Sequence, residues 1–349
     1  MKAMVFRGAG ALELAEVPRP EPGAGEVLIR VDWCGICGSD LEAYQIGMYE
    51  PGLILGHEFA GRVAAVGPDV RGWEVGDPVS VSDAIPCMAC RACRRGAFTL
   101  CEALTMIGVT LDGGMAEYVR VPVQGLHRLT PGLDTRRAAL AEPLSIALHA
   151  VNRSALRPGD RALVMGAGPI GLLVLQAARL AGALDVYVTE VNPARAALAQ
   201  RLGAKEVLDP TRVNLAVRLG QLTDGEGVPV IFVCTGVASA FEEAVTLAGK
   251  GGQIVMVGLV PEPAAEDLMT LVLHELEVRG AYLGHAEFRQ ALEFIAQGRV
   301  DVASLISREV PLERAVEDGF KYLLRGAPEA AKVLVRVGGT PEENTGHGE

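Results

Sequence analysis

The sequence has no excess of positive charge and no long apolar run, and these two absences exclude two broad classes of protein. Its 32 Lys and Arg residues are outnumbered by 43 Asp and Glu residues, which gives a formal net charge of −11 at pH 7. A protein that binds duplex nucleic acid needs a net basic surface to contact phosphate, so no nucleic-acid partner is expected. No stretch approaches the roughly 18 uncharged apolar residues that cross a bilayer, so no membrane span is expected.

The N-terminus also lacks the apolar core of a secretory signal peptide. Residues 1–7 are typical of a strand and not of the apolar segment of a signal peptide. With no sign of secretion, we expect a cytoplasmic protein. At 349 residues, half of them hydrophobic, the chain is long enough for about two domains with sizeable cores.

Cysteine is scarce, but more than half of it is concentrated in one short segment. Four of the seven cysteines follow the pattern C-x2-C-x2-C-x7-C, and these are Cys87, Cys90, Cys93 and Cys101. The spacing is typical of a tetrahedral zinc site with four thiolate ligands. Two disulfides explain it poorly, because near-neighbour pairs would be strained and nothing indicates secretion. A zinc ion closed off by four thiolates has no open position, so we expect this site to be structural.

The character of the sequence changes near residue 161. Before that point, short alternating runs such as 27–31 and 60–66 are separated by Gly, Pro and Asp, which predicts a β-rich region. After it, apolar strands alternate with helix-like runs of about 10–15 residues as far as residue 285, which predicts a parallel, doubly wound sheet. The sequence therefore predicts an α/β fold.

A glycine-rich motif lies between the first predicted strand of that sheet and the helix after it. The motif reads Gly166-Ala167-Gly168-Pro169-Ile170-Gly171. Its glycines permit a tight turn, a close approach of the backbone to a pyrophosphate, and close packing of the helix on the strand. An acidic residue, Glu190, ends the second predicted strand about 20 residues further on, as a dinucleotide-binding unit requires. This context distinguishes the motif from a chance match.

Glu190 favours NAD over NADP as the cofactor. A carboxylate at this position accepts hydrogen bonds from the adenosine ribose hydroxyls and repels a 2′-phosphate. Arg195 lies just over one helical turn beyond it and could reach the same ribose, or could lie on the surface. We therefore expect NAD(H).

A second set of possible metal ligands lies upstream. Cys37 lies in the sequence C-G-I-C-G-S-D, His57 and Glu58 in G-H-E, and Glu142 in A-E-P-L-S. A cysteine, a histidine and a carboxylate make three protein ligands and leave a position for water or substrate, as catalytic zinc does. Cys34 is better explained as a small buried thiol than as a ligand.

Taken in order along the chain, these motifs resemble the zinc-dependent medium-chain alcohol dehydrogenase family. Within it they resemble the polyol branch of sorbitol, 2,3-butanediol and threonine dehydrogenases. The resemblance covers nearly the whole chain. It implies a GroES-like β-rich catalytic domain, split between residues 1–152 and 286–349, around a Rossmann NAD-binding domain at 153–285. It also implies one catalytic and one structural zinc ion per chain, and a homodimer or homotetramer.

The resemblance also implies roles for individual residues. Cys37 and His57 bind the catalytic zinc, with Glu142 as a ligand directly or through water. Glu58 is the alternative carboxylate, able to swing in when water or substrate exchanges. Ser39 resembles the hydroxyl that takes the proton of the alcohol.

The chain departs from the family at Glu42, where a histidine commonly ends the proton relay. A carboxylate could serve there, or the proton could leave by another route. The implied reaction is the reversible oxidation of a secondary alcohol with NAD(H), and the implied substrate is a small polyol or vicinal diol. L-threonine 3-dehydrogenase is an alternative, although no residues for a substrate carboxylate and ammonium stand out. A non-catalytic NAD-binding sensor is the alternative from another class.

Overall fold

The computed structural model describes residues 1–264, 267–326, 329 and 331–338, and these residues divide into two compact units. The first unit comprises Met1–Glu142, Phe288–Gln297 and the described residues from Ile306 onwards, and the second comprises Pro143–Glu287 and Gly298–Leu305. The chain passes from the first compact unit to the second at Pro143. The domain boundaries predicted at 152/153 and 285/286 stay predictions. Residues 339–349 of the predicted catalytic domain lie outside the described part of the chain.

The first unit is built mainly from strands, which are separated by the turn residues seen in the sequence. The strands before the second unit are β1 (Lys2–Gly8), β2 (Ala11–Glu16), β3 (Glu26–Gly35), β4 (Glu58–Val66), β5 (Pro78–Val81), β6 (Ala84–Ile85), β7 (Thr105–Met106), β8 (Tyr118–Pro122) and β9 (Leu126–Arg128). The helices in this part of the chain are α1 (Gly38–Ile46), α2 (Arg91–Arg94), α3 (Thr135–Ala138) and α4 (Ala141–Asn152).

The second unit alternates strands with helices. Its elements are β10 (Arg161–Met165), α5 (Pro169–Leu180), β11 (Asp185–Thr189), α6 (Pro193–Arg201), β12 (Glu206–Leu208), α7 (Leu215–Leu222), β13 (Val228–Val233), α8 (Ala238–Leu247), β14 (Ala248–Met256), α9 (Leu268–Leu273) and β15 (Glu277–Gly280). The chain then returns to the first unit with α10 (Phe288–Ala296), β16 (Ile306–Pro311), α11 (Lys321–Leu324) and β17 (Lys332–Arg336).

A seven-stranded sheet forms the frame of the first unit. Its hydrogen-bonded order is β16-β17-β3-β4-β5-β9, and β8 also pairs with β3. Strand β3 is central because it pairs with β17, β4 and β8, all antiparallel. Its side chains Val27, Ile29 and Val31 are fully buried in the core, and Leu28 is 2% exposed. The strand is therefore buried at most of its positions, as suits its central place in the sheet.

A six-stranded parallel sheet forms the second unit, in the order β12-β11-β10-β13-β14-β15. This is the 3-2-1-4-5-6 order of a doubly wound dinucleotide-binding sheet. The central strands are apolar over most of their length, with Leu163, Val164, Ile231 and Phe232 fully buried, because helices cover both faces of such a sheet. The predicted α/β fold with a parallel, doubly wound sheet is confirmed.

The sequence did not reveal every element of this sheet. Strand β12 and helix α7 were not predicted from the sequence. None of the helices in the described ranges is long and apolar enough to cross a membrane.

Candidate functional site

The cysteine-rich segment folds into a single cluster of thiols. The sulfur atoms of Cys87, Cys90, Cys93 and Cys101 all lie within 4.8 Å of one another. Backbone N–H groups point at these sulfurs: Cys87 N lies 3.2 Å from Cys101 Sγ, and Cys93 N lies 3.4 Å from Cys90 Sγ. The N–H groups of Cys93 and Glu102 lower the pKa of Cys90 to about 6. Because the thiolate is the form that binds metal, the cluster fits a structural zinc ion.

Cys37, His57 and Glu58 form a second cluster in the first unit. Their ligand atoms all lie within 4.8 Å of one another. Cys37 immediately precedes α1, and Glu58 begins β4 opposite Gly35 at the end of β3. The pairing of β3 with β4 therefore brings the two sequence motifs together. His57 is 5% exposed and Glu58 is 1% exposed, so these two side chains are shielded from water, whereas Cys37 is partly exposed.

Glu142 lies in the first turn of α4 and is 2% exposed, but it lies outside that 4.8 Å group. Burial raises the pKa of Glu142 well above its usual range, the nearby Asp83 carboxyl adds to the effect, and His57 opposes it. The structure thus brings Cys37, His57 and Glu58 together and places Glu142 near them without joining the group.

Asp40 connects the two halves of this cluster, and the sequence analysis did not identify it. It is fully buried, its Oδ2 accepts the backbone N–H of Cys37 at 2.9 Å, and its Oδ1 lies 3.8 Å from His57 Nδ1. The signal that could have revealed it is its place three residues after the helix cap, where a carboxylate reaches back to the cap's N–H. A carboxylate behind a histidine ligand fixes the orientation of the ring.

The charge of this cluster favours a bound cation. Burial lowers the pKa of His57, but the negative charges of Cys37 and Asp40 outweigh it and raise that pKa well above its usual range. Buried His57 Nδ1 and Asp40 Oδ1 have no hydrogen-bond partner among the described residues. Sulfur, nitrogen and carboxylate donors in a buried, net negative site are the set that zinc prefers, so these residues fit the metal.

Ser39, the second residue of α1, has an aromatic partner that the sequence analysis did not single out. The side chains of Ser39 and Tyr49 are hydrogen-bonded to each other. Burial raises the pKa of Tyr49, and the bond to Ser39 partly offsets that effect. Glu42 is exposed. Its role as the end of a proton relay stays a prediction. No local pattern reveals Tyr49, because it lies in the loop after α1.

Two more buried charged residues near the cluster were missed from the sequence. Lys332, the first residue of β17, is 3% exposed, and its Nζ donates to both carboxylate oxygens of Glu58 at 2.6 and 2.7 Å. Asp83 is 2% exposed, and its Oδ2 has no hydrogen-bond partner among the described residues. Burial raises the pKa of Asp83, while His57 opposes the rise.

The predicted dinucleotide turn lies between β10 and α5 in the second unit. Gly166 follows β10 with φ of 97°, a left-handed conformation that favours glycine. Gly168 caps α5, Pro169 and Ile170 open its first turn, and a Cβ added at Gly171 would collide with the carbonyl oxygen of Gly166. The free N–H groups at the start of this 12-residue helix are suited to bind a pyrophosphate.

Glu190 follows β11 and is buried beside that turn, with a side chain that is 4% exposed. Its Oε2 accepts the N–H of Ala167 at 2.9 Å, and its Oε1 accepts Asn192 N at 2.8 Å and Arg195 Nη2 at 3.1 Å. The structure therefore places Glu190 in contact with the glycine-rich turn and with Arg195. A carboxylate next to this turn is the element that selects an unphosphorylated ribose.

Two family models match the sequence. The model described as "Alcohol dehydrogenase GroES-like domain" matches residues 23–131. The model described as "Zinc-binding dehydrogenase" matches residues 169–297. Together they cover more than half of the chain. The first model includes both clusters of possible metal ligands, and the second begins within the dinucleotide turn, at Pro169. Glu142 lies between the two matches.

Individual proteins are similar to the chain over nearly its whole length. Sorbitol dehydrogenase of Bacillus subtilis (strain 168) is 32% identical over 342 residues, which cover 96% of this chain and 97% of that protein. L-threonine 3-dehydrogenase of Pyrococcus abyssi (strain GE5 / Orsay) is 33% identical over 332 residues, 93% of this chain and 95% of that protein. A solved structure from Sinorhizobium meliloti 1021, provisionally assigned as a zinc-binding dehydrogenase and bound to NADP, has a TM-score of 0.89 at 32% identity, covering 96% of this chain and 99% of the other.

Proposed function

The chain belongs to the zinc-dependent medium-chain alcohol dehydrogenase family and to its polyol branch, and on that premise we propose that it oxidises a secondary hydroxyl of a polyol or vicinal diol to the ketone, reversibly and with NAD. Family membership makes the protein an oxidoreductase that uses zinc and a nicotinamide dinucleotide. The predicted family, enzyme class and cofactor types are thereby confirmed. The choice of substrate and of individual residues belongs to the proposal.

The observation that best supports the proposal is the largely buried cluster of Cys37, His57 and Glu58. We assign Cys37 and His57 as zinc ligands, with a carboxylate as the third. When bound, zinc supplies a Lewis acid that lowers the pKa of the substrate hydroxyl, and the nicotinamide supplies the hydride acceptor. The chain itself holds the ligands in a water-poor site, and the side chain of Ser39 receives the proton and has Tyr49 as its hydrogen-bonded neighbour.

The proposed substrate class rests on the polyol branch, with sorbitol dehydrogenase among the relatives. A relative that oxidises threonine makes an amino-acid substrate the competing choice. The test is a comparison of kcat/KM for sorbitol, xylitol, 2,3-butanediol, threonine and simple secondary alcohols, each with NAD and with NADP. We expect the highest value for a polyol or diol with NAD. A highest value for threonine would contradict the substrate class, and NAD binding without turnover on any substrate would favour a sensor.

Removal of the Glu190 charge should weaken selection for NAD. In Glu190→Gln, the ribose loses a charged acceptor, and such a hydrogen bond is worth about 1.5–3 kcal/mol. We expect the KM for NAD to rise by about 10- to 100-fold. The KM for NADP should fall, because the carboxylate no longer repels the 2′-phosphate and Arg195 is released from its ion pair.

The matched control for this change is Glu206→Gln. Glu206 lies on the adjacent strand β12, away from the glycine-rich turn, and it also pairs with an arginine, Arg218, at 2.8 Å. Glu206→Gln should leave both KM values unchanged. Equal use of NAD and NADP by the unaltered enzyme would contradict the proposed preference.

Removal of the Tyr49 hydroxyl should slow proton transfer without affecting cofactor binding. In Tyr49→Phe, Ser39 loses its hydrogen-bond partner, and a neutral bond of this kind is worth about 0.5–1.5 kcal/mol. We expect kcat to fall by roughly two- to tenfold, with the KM for NAD unchanged. Tyr44→Phe is the control, because Tyr44 contacts the Phe320 ring at 5.6 Å between ring centroids. Equal kcat values for the two variants would remove Tyr49 from the proton path.

We further propose a cytoplasmic homodimer or homotetramer. All seven cysteines are free thiols, which suits a reducing compartment. Strand β15 is at the edge of the six-stranded sheet, and the preceding helix α9 exposes apolar side chains, among them Met269 and Val272, which are 70% and 75% exposed. An open strand edge beside exposed apolar side chains is suited to pairing with a second copy of the chain. Light scattering in solution would measure the assembly directly.

A further inference from the structure

We propose that the first unit carries a second ligand site, a pocket on the side of β1 away from the main core, which binds a small organic cation with an apolar chain, of the alkylammonium class. The pocket has a volume of about 620 Å³, within the range of about 300–1,000 Å³ that is usual for small-molecule sites. Among the described residues that line it, none belongs to the cluster of Cys37, His57 and Glu58. The pocket is therefore separate from the proposed zinc site.

Strand β1 separates this pocket from the main core because its side chains alternate between two faces. Met4 and Phe6 are buried in the main core on one face. Val5 packs on the other face, in a smaller hydrophobic cluster that also contains Ile54. Val5 and Ile54 form a β-bridge, and both line the pocket. The pocket thus has an apolar floor on a paired backbone.

The apolar floor extends to both sides of that bridge. Met1 and Val17 pack against the same small cluster and line the pocket, and Leu53 and Leu111 line it as well. These four side chains are only partly buried, so a ligand with an apolar chain would remove more of their surface from water. Because transfer of apolar surface out of water is favourable, the floor selects such a chain.

The two arginines that line the pocket are already paired with carboxylates of the same unit. Arg7 Nε lies 3.0 Å from Glu13 Oε2, and Arg120 Nε lies 3.4 Å from Glu26 Oε2. Their positive charges are thus compensated within the protein. Little positive charge remains at the pocket to attract an anion.

Two further carboxylates, those of Glu21 and Asp112, line the pocket, and neither has an ion-pair partner in the part of the chain that the structure describes. Asp112 Oδ1 accepts the N–H of Ile54 at 3.1 Å, which holds this carboxylate beside the apolar floor. Arg19 lies nearby, but its guanidinium stacks over the Tyr118 ring, 3.9 Å from the ring centroid. The pocket therefore presents uncompensated negative charge next to an apolar surface, and this combination complements an organic cation.

The test uses two probes with the same hexyl chain and opposite charge, hexyltrimethylammonium and hexanesulfonate. A quaternary ammonium group has no lone pair to donate to a metal, so this probe cannot bind as a zinc ligand. With the zinc-loaded full chain, we expect titration calorimetry to detect millimolar binding of the cation, weakened by added salt, and no binding of the anion. Equal binding of the two probes, or no binding of the cation, would overturn the proposal.

The double variant Asp112→Asn with Glu21→Gln removes both carboxylate charges and locates the bound cation. Both residues are exposed, and the asparagine oxygen still accepts the N–H of Ile54, so the fold should persist. An exposed charge pair contributes up to about fivefold in affinity, so we expect this variant to bind the cation about tenfold more weakly. Glu74→Gln is the matched control, because Glu74 is exposed in the same unit and does not line the pocket. Unchanged affinity in the double variant, or an equal loss in the control, would overturn the proposal.

Val17→Trp tests the apolar part of the pocket. Val17 is partly exposed, and its N–H donates to the carbonyl oxygen of Met1 at 2.9 Å, a bond that the substitution keeps. The larger side chain should fill part of the pocket and weaken binding of the cation by about tenfold or more. The double carboxylate variant carries the test should Val17→Trp fail to fold. Cys37→Ala, which alters only the zinc site, should bind the cation as the unaltered chain does. Full affinity in Val17→Trp, or loss of binding in Cys37→Ala, would overturn the proposal.

Discussion

Replacement of Cys37 by alanine should reduce turnover by about a thousandfold or more and leave one zinc ion per chain. The variant loses the only thiolate of the catalytic cluster. A metal that acts as a Lewis acid contributes several kcal/mol to the transition state, and each 1.36 kcal/mol is about tenfold in rate. Helix α1 should still form, because its cap uses the backbone N–H of Cys37 bonded to Asp40 at 2.9 Å. The dinucleotide turn lies in the other unit, so NAD should still bind.

Cys34→Ala is the matched control for this experiment. Cys34 is fully buried three positions earlier, and burial raises the pKa of its thiol well above the usual range, so it stays protonated. The control should keep both zinc ions and most of its activity. Metal content by elemental analysis and NAD affinity by fluorescence complete the test. Full turnover in Cys37→Ala, or loss of a zinc ion in Cys34→Ala, would contradict the assignment.

Replacement of Cys93 by alanine should release the other zinc ion and unfold the segment around it. Apart from its clustered thiols, this segment has little to hold it: helix α2 has four residues, and the 3₁₀ helix Phe98–Leu100 has three. A structural zinc ion binds with about 10–16 kcal/mol of apparent free energy, and that binding is part of the free energy of folding. We expect a lower thermal midpoint and new trypsin cleavage at the exposed arginines Arg91, Arg94 and Arg95.

The catalytic cluster should respond differently from the cysteine segment. Cys37, His57 and Glu58 belong to the seven-stranded sheet and its adjoining helix, so Cys93→Ala should keep one zinc ion. Cys234→Ala is the control for metal content, because burial raises the pKa of that thiol and it belongs to neither cluster. If Cys93→Ala retained two zinc ions, the cysteine cluster would not be the structural site.

The features that the sequence revealed are those that depend on short stretches of chain. The cysteine spacing and the glycine-rich turn each lie within about fifteen residues, and the structure brings their members together as expected. The apolar strands of the parallel sheet were also recognisable, since burial on both faces makes them continuous hydrophobic runs. Strand β12 was not predicted, because three residues are too few to show a hydrophobic periodicity.

The features that the sequence did not reveal depend on contacts between distant segments. Lys332 and Glu58 are 274 residues apart, and a lysine at the start of an apolar strand gives no sign of its partner. Tyr49 lies in a loop that has no regular pattern. The sequence left the third ligand open between Glu58 and Glu142, and it gives no sign that Glu58 pairs with Lys332 on β17.

The central position of β3 has a consequence for biosynthesis. Strand β3 pairs with β4 early in the chain, but its other neighbour, β17, is translated only after the whole parallel sheet has been made. The whole nucleotide-binding unit is therefore translated before Lys332, the residue that pairs with Glu58. Until residue 332 is made, Glu58 lacks the cation that it pairs with in the folded chain. The ion pair beside the candidate metal ligands is thus among the last contacts of the first unit that synthesis makes possible.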